Sequence, residues 1–170
     1  MQNITPSLWF DNNCEEAMNF YVAAFQNSPT PKGESKIVSI KYYPEGSTEE
    51  HMKGMEGKVL TGIFMLAGQR FMALDGGPIF KFNEAISFSV ECEDQAEVDY
   101  FWDKFSAVPE AEQCGWLKDK YGLSWQIVPK ALGNLLSSPE KEKSDRVLMA
   151  MLKMKKIVVA DLEKAARGEA

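Results

Sequence analysis

The chain has one histidine, His51, and three cysteines, Cys14, Cys92 and Cys114, among its 170 residues. A single imidazole sharply limits metal chemistry, because transition metals are held by several His, Cys or carboxylate groups. The cysteines are odd in number, widely spaced and form no C-x-x-C pair. That excludes a disulfide scaffold and predicts a reduced, cytoplasmic protein. Positive charge is also short: 19 Lys and Arg stand against 25 Asp and Glu, for a net charge of −6. The sequence pI is about 4.9. Without a basic stripe, neither nucleic acid nor a membrane surface is an expected partner. Solubility is the simple consequence of the charge. No run of about 20 apolar residues is present, so no membrane span is expected. MQNITPSLWF has no basic segment followed by an apolar stretch, so no signal peptide is expected.

What is present points to a packed core. Hydrophobic residues make up 45% of the chain, ordinary for one domain, or for two small modules sharing an interface. Residues 115–129, GWLKDKYGLSWQIVP, read as strand, tight turn and strand. Gly122 supplies the positive φ of the turn, and Pro129 ends the ladder because it has no N–H to donate. Residues 4–10 read as a strand with Leu8 and Phe10 on one face and Thr5, Ser7 and Trp9 on the other. Asn13 and Glu16 fit a capping box. Cys14, Ala17, Met18, Tyr21, Ala24 and Phe25 then form a helical stripe. Strands follow at 35–43, with Val38, Ile40 and Tyr42 on one face, and at 59–67 and 70–75, joined through Gly68-Gln69. Residues 44–58 read as a polar loop.

The opening pattern then recurs. Residues 85–92 alternate as a strand, Asp94 and Glu97 form a second capping box, and Val98, Phe101, Trp102 and Phe105 form a second stripe. Asn13 and Asp94 lie 81 positions apart, and the same offset aligns Phe20-Tyr21 with Phe101-Trp102. An internal duplication explains this. With a short strand near 111–114, the order is β-α-β-β-β twice, an α+β fold. The expected modules are residues 1–84 and 85–130, followed by a helical extension at 131–170. In the extension, Val147, Ala150, Met151 and Met154 form a stripe that Met149, Leu152 and Ile157 widen. A break near 157–159 precedes a last helix over 160–167. Such a stripe buries against its own chain or against a dimer partner.

The segments ITPSLWF, EEAMNFY, VLTGIFMLAGQRFMALDGGP, ISFSVEC and CGWLKDKYGLSWQIVP resemble the vicinal oxygen chelate superfamily, which includes the glyoxalase and bleomycin-resistance proteins. Within it they are similar to the PhnB-like branch labelled 3-demethylubiquinone 3-methyltransferase. The resemblance covers residues 4–129. It implies two tandem βαβββ modules whose curved mixed sheets make a cup. In metal-dependent members it also implies four ligands, at positions matching Thr5, Asp75, Ala85 (with Ser87 next on that face) and Gln126. Only Asp75 among these suits a divalent cation, so no metal and no other cofactor is expected. The glycines Gly62, Gly68, Gly76 and Gly77 sit within or between strands and none opens a helix. The methyltransferase label therefore lacks the turn of a Rossmann-type site for S-adenosylmethionine.

The expected cup is lined by Ser7, Trp9, Asp75, Ser87, Ser89, Ser124 and Gln126, which suits a small polar–apolar ligand. The alternative is an ordinary solvated sheet face. Asp75 is the candidate general base, against a plain turn role before Gly76-Gly77. Trp116 and Trp125 are expected in the core and Cys114 as an inert thiol. The reading is a homodimeric small-molecule-binding protein, with a vicinal oxygen chelate enzyme or the labelled methyltransferase as alternatives.

Overall fold

A computed structural model describes residues 4–46 and 50–169. Residues 47–49 of the expected polar loop lie outside the described residues. The chain divides between Lys81 and Phe82 into two compact units.

The first unit runs β1 (Ser7–Phe10), α1 (Cys14–Gln26), β2 (Lys36–Tyr42), β3 (Val59–Leu66) and β4 (Gln69–Asp75). Its sheet has the order β1-β4-β3-β2, with β1 parallel to β4 and the other pairs antiparallel. One face is buried by α1. Leu8, Phe10, Phe64, Phe71 and Ala73 from the sheet pack there with Cys14, Ala17, Met18 and Tyr21 from the helix. The hairpin between β3 and β4 pairs Leu66 with Gln69, so its turn residues are Ala67-Gly68, one position earlier than expected. A register shift between Ile37 and Ser39 also corrects β2. Val38 has no partner there and is exposed, and Ile37 joins Ile40 and Tyr42 beside Phe64, Gly62 and Val59. A bulge inserts one residue and so reverses the face of everything before it.

The second unit runs β5 (Ser87–Cys92), α2 (Gln95–Phe105), β6 (Trp116–Lys118), β7 (Ser124–Pro129), α3 (Lys130–Leu136), α4 (Lys141–Met151) and α5 (Val159–Arg167). Its sheet order is β5-β7-β6, again with the first strand parallel to the last. Each unit thus begins with a strand, a capped helix and a parallel pairing of that strand to the final one. The duplicated pattern in the sequence is a duplicated topology. Val90, Val98, Phe101, Phe105, Leu117, Trp125 and Ile127 form the second core, with Phe105 stacked on Trp125 at 4.7 Å.

The strand expected near 111–114 is not formed. Pro109–Ala111 is a short 3-10 helix, and Gln113 makes only a single bridge with Trp116. Cys114 and Gly115 between them both have positive φ, 51° and 84°. A two-residue turn at that point reverses the chain before a ladder can extend.

The two capping boxes behave differently. Asp94 accepts the Glu97 N–H at 3.0 Å, and the Glu97 carboxylate accepts the Glu93 N–H at 2.7 Å. Asn13 makes no such bond, and its Oδ1 is buried without a partner. The α1 terminus is capped from elsewhere, as described below.

The extension is locked to the second unit by backbone bonds. Cys114 N–H donates to the Met154 carbonyl and Gly115 N–H to that of Lys155, both at 2.8 Å. Gln95 holds both sides of the linker before α5, donating to Ile157 O and accepting from Val159 N. Val147, Ile157, Leu162 and Ala166 bury with Leu132 in a small core of their own. The tail stripe therefore packs on its own chain in part, while Met149 and Leu152 stay exposed.

Candidate functional site

The sheet face opposite the helix was the expected site in each unit. In the first unit, Ser7 and Trp9 lie on that face. Trp9 is fixed in place: its Nε1–H donates to the Gly77 carbonyl at 2.8 Å, and its ring meets Phe80 edge-on at 4.8 Å. The rest of the face is apolar and half-buried, with Ile63, Met72 and Leu74 beside it in register. Phe80 is 61% exposed. An aromatic pair beside two strands of half-buried aliphatics is a surface suited to the apolar part of a ligand.

Gly76 makes room for Trp9. A Cβ at that position would fall 2.1 Å from the indole Cζ2. Trp9 is pinned by Gly77 and Phe80, so it has little freedom to yield. Gly76→Ala is expected to break the Trp9–Gly77 bond and to cost about 2 kcal/mol of stability, in the range for forcing extra volume into a packed site. Denaturation together with loss of near-ultraviolet aromatic dichroism would check this; an unchanged spectrum would show that Trp9 is not so held.

Asp75 is not on that face. Its register partner is Phe10, on the α1 side, and it is only 3% exposed. Its Oδ1 accepts the Cys14 N–H at 2.9 Å, and backbone N–H groups of Asn13 and Val59 also bond to the carboxylate. Asp75 is thus the N-terminal cap of α1, supplied by β4 rather than by Asn13. A carboxylate there satisfies orphan N–H donors and faces the positive end of the helix. Burial, the largest influence, pushes its pKa up, while the N–H donors and Lys58 pull it down. Burial, aided by Asp75 and Glu15, also pushes the Cys14 thiol up to about 12. Cys14 is inert at neutral pH. The cup placement of Asp75 is corrected, and a base role loses its geometry.

In the second unit the expected residues do come together. Ser87, Ser89, Ser124 and Gln126 share one face by register, opposite Phe88, Val90, Trp125 and Ile127. Gln126 Nε2 donates to Ser87 Oγ at 2.9 Å. Ser124 lies beside Ser87, is 1% exposed, and its Oγ has no hydrogen-bond partner. A buried hydroxyl without a partner costs stability unless something else bonds to it.

Two residues on this face escaped the sequence reading. Trp116 pairs with Gln126 and Lys118 with Ser124. Trp116 is half-buried there rather than in the core, and Lys118 is ion-paired with Glu84. The β6 parity, with Leu117 in the core, would have revealed both. Trp125 does lie in the core. Its Nε1–H donates to Asp119 Oδ2 at 2.8 Å, while Asp119 Oδ1 accepts from Tyr121 and Leu123 N–H. Asp119 is the central acceptor of the turn, and the sequence reading passed over it. An Asp three residues before Gly122 was the available signal.

A family model described as 3-demethylubiquinone-9 3-methyltransferase matches residues 2–128. The chain belongs to that family. A putative 3-demethylubiquinone-9 3-methyltransferase, the PhnB protein from Bacillus cereus, is 37% identical and superimposes with a TM-score of 0.59. That match covers 75% of this chain and 99% of the other. A Pseudomonas aeruginosa protein, 18% identical, gives a TM-score of 0.54 over 76% of this chain and 98% of its own. The fosfomycin resistance protein FosX from Listeria monocytogenes, 11% identical, gives 0.50 over 81% and 98%. These last two show the fold alone, that of the vicinal oxygen chelate proteins. No curated protein matches the chain.

The metal of that fold class does not fit the residues this family member places at the ligand positions. Thr5 precedes β1, and Ala85 lies in the turn before β5, so Ser87 is the residue of that pair on the sheet. Ser87 and Gln126 are neutral and bond to each other, and the Asp75 carboxylate is taken up by N–H groups on the α1 side. His51 falls in the short 3-10 helix Glu50–Met52. Among the described residues no three His, Cys, Asp or Glu groups are placed to share a cation. A neutral hydroxyl and amide make a poor site for a divalent transition metal.

Proposed function

We propose that the protein binds a small polar–apolar molecule on the site face of its sheets, without the metal used by other members of the fold. The observation that carries this reading is the Ser87–Gln126 hydrogen bond beside the buried, unpartnered Ser124 hydroxyl. Metal ligands would have to be charged or imidazole groups here. Instead the face offers donors and acceptors suited to a neutral or anionic polar group, with Lys118 adjacent. Trp116, in register with Gln126, supplies apolar surface beside them.

The same reading makes the protein a cytoplasmic homodimer that binds neither nucleic acid nor membrane. The acid-rich composition speaks against nucleic acid and the three free thiols speak for the cytoplasm, and no helix of the described residues is long and apolar enough to cross a membrane. The methyltransferase named by the family is disfavoured, since no glycine-rich strand-to-helix turn is present in the sequence. An enzyme that uses Asp75 as a base is disfavoured by the position of that side chain.

The test is native mass spectrometry of protein purified without stripping. The expected result is a dimer with a retained small molecule and no stoichiometric metal. Gln126→Ala is expected to weaken retention by roughly tenfold, the loss of one good polar contact. Thermal shift with millimolar S-adenosylmethionine is expected to be flat, because a bound ligand would raise the melting temperature by mass action. A clear shift, or a chelator-sensitive metal at one per chain, would overturn the reading.

A further inference from the structure

The polar face of the second unit is built in rows across its sheet. Lys118, Ser124 and Ser87 lie side by side on β6, β7 and β5, and Trp116, Gln126 and Ser89 make the next row. Beyond them the face ends at Val128, which packs against the tail core, and at its register partner Glu91, an exposed acid. Lys118 is the charged side chain within the rows.

Lys118 is held by a carboxylate that does not belong to the sheet. Its Nζ bonds to Glu84 Oε1, and that bond is the main cause that keeps the Glu84 carboxyl below its usual pKa. The partners are unequally placed: the Lys118 side chain is 22% exposed and the Glu84 side chain 62%. Glu84 stands in the turn before β5, where the Asn83 side chain accepts the Ala85 N–H. Its side chain can leave for water at little cost, because an exposed carboxylate is well solvated and an exposed ion pair contributes little. Lys118 has no such freedom, since a largely buried ammonium without a counter-charge lacks both water and partner. Beside it the Ser124 hydroxyl is buried and has no partner. A ligand that displaces Glu84 must therefore bring an anion of its own. A carboxylate does so and has a second oxygen to accept from the Ser124 hydroxyl. Trp116 lies two residues from Lys118 along β6, about 7 Å away, close enough to pack on the apolar body of the same small molecule.

We propose that Glu84 is a displaceable stand-in for the carboxylate of the ligand: the face binds a small aryl or alkyl carboxylate, with its acid group on Lys118 and Ser124 and its apolar body on Trp116. This rests on the reading of the face as a small-molecule site and adds to it the charge of the ligand and the way it enters.

The experiment titrates 3-phenylpropanoate into the full chain by calorimetry at neutral pH, with 3-phenylpropanamide as its neutral counterpart. The acid is expected to saturate and to bind roughly tenfold more tightly than the amide. Glu84→Gln, at an exposed position, is expected to tighten the acid about threefold to fivefold, the scale of an exposed ion pair, and to leave the amide unchanged. Glu91→Gln removes the same charge from the other end of the face and is expected to change neither. Lys118→Gln is expected to weaken the acid roughly tenfold with unchanged circular dichroism. No gain from Glu84→Gln would overturn the proposal. So would equal gains from Glu84→Gln and Glu91→Gln, since long-range charge alone would then explain them. An acid that binds no better than the amide would overturn it and leave the small-molecule reading standing. An acid that does not bind would also overturn it, while a molecule retained in native mass spectrometry would still keep the reading of the face itself.

Discussion

Asp119→Ala is expected to destabilise the second unit by about 4 kcal/mol, the upper range for a single substitution. The side chain is 1% exposed. It accepts two backbone N–H groups, from Tyr121 at 2.8 Å and Leu123 at 3.0 Å. It also accepts the Trp125 indole N–H at 2.8 Å. Removing it leaves buried donors without acceptors, and each such donor costs about 1–3 kcal/mol. The damage would spread along β7, because Trp125 stacks on Phe105 and Ser124 and Gln126 flank it on the site face. Urea unfolding followed by tryptophan fluorescence measures the effect. Asp119→Asn, which keeps one acceptor oxygen, should fall between wild type and alanine. A loss below about 1 kcal/mol for Asp119→Ala would mean that the turn is held by Gly122 and the strand pairing alone.

Asp75 gives the second large effect and separates a structural from a chemical role. Asp75→Ala removes the cap of α1 and leaves the Cys14 N–H without its buried acceptor. A loss of about 3 kcal/mol is expected, combining a lost cap with an unsatisfied buried donor. Asp75→Asn keeps an oxygen for Cys14 and removes a buried charge, so it should remain within about 1 kcal/mol of wild type at neutral pH. The sign of the pH dependence follows from burial. The folded pKa is raised above 3.8, so in the window above that value the folded state holds its proton more tightly than the unfolded state. The Asp75 contribution to stability is then greatest at low pH and is lost as pH rises through the folded pKa. Wild type should therefore lose stability relative to Asp75→Asn as pH rises through that window, with a constant difference above it. If Asp75 were a general base, Asp75→Asn would instead abolish turnover while stability was untouched.

Much of the fold was legible because its signals are local. Alternation in 4–10 and 85–92, helical stripes after Asn13 and Asp94, and the 81-residue offset all arise within short windows of sequence. So did the second capping box, since Asp94 and Glu97 are three residues apart and bond across one helical turn. Ser87, Ser89, Ser124 and Gln126 were placed on one face because each strand there alternates cleanly with core residues on the other side.

What was missed depends on partners far along the chain. In β4, Phe71 and Ala73 alternate with Met72 and Leu74, so both faces are apolar and parity alone cannot say which one meets a helix. The pairing of Leu8 with Ala73 and Phe10 with Asp75 decides it. The same pairing replaces the expected Asn13 cap by a carboxylate 61 residues away from Cys14. The strand near 111–114, Ala-Glu-Gln-Cys, has no β-branched or aromatic residue to favour it, and positive φ at Cys114 and Gly115, where the tail binds their N–H groups, ends it.

The sequence by itself determined the family, the two repeated strand–helix units and the polar face built around Ser87 and Gln126. These follow from residue type and from the periods of strand and helix, which act over a few residues. Only the tertiary structure decided that Asp75 caps a helix and that the appended helices leave an open apolar groove. Each of those is set by which distant backbone donors, strands and helices meet, and no local period encodes that meeting.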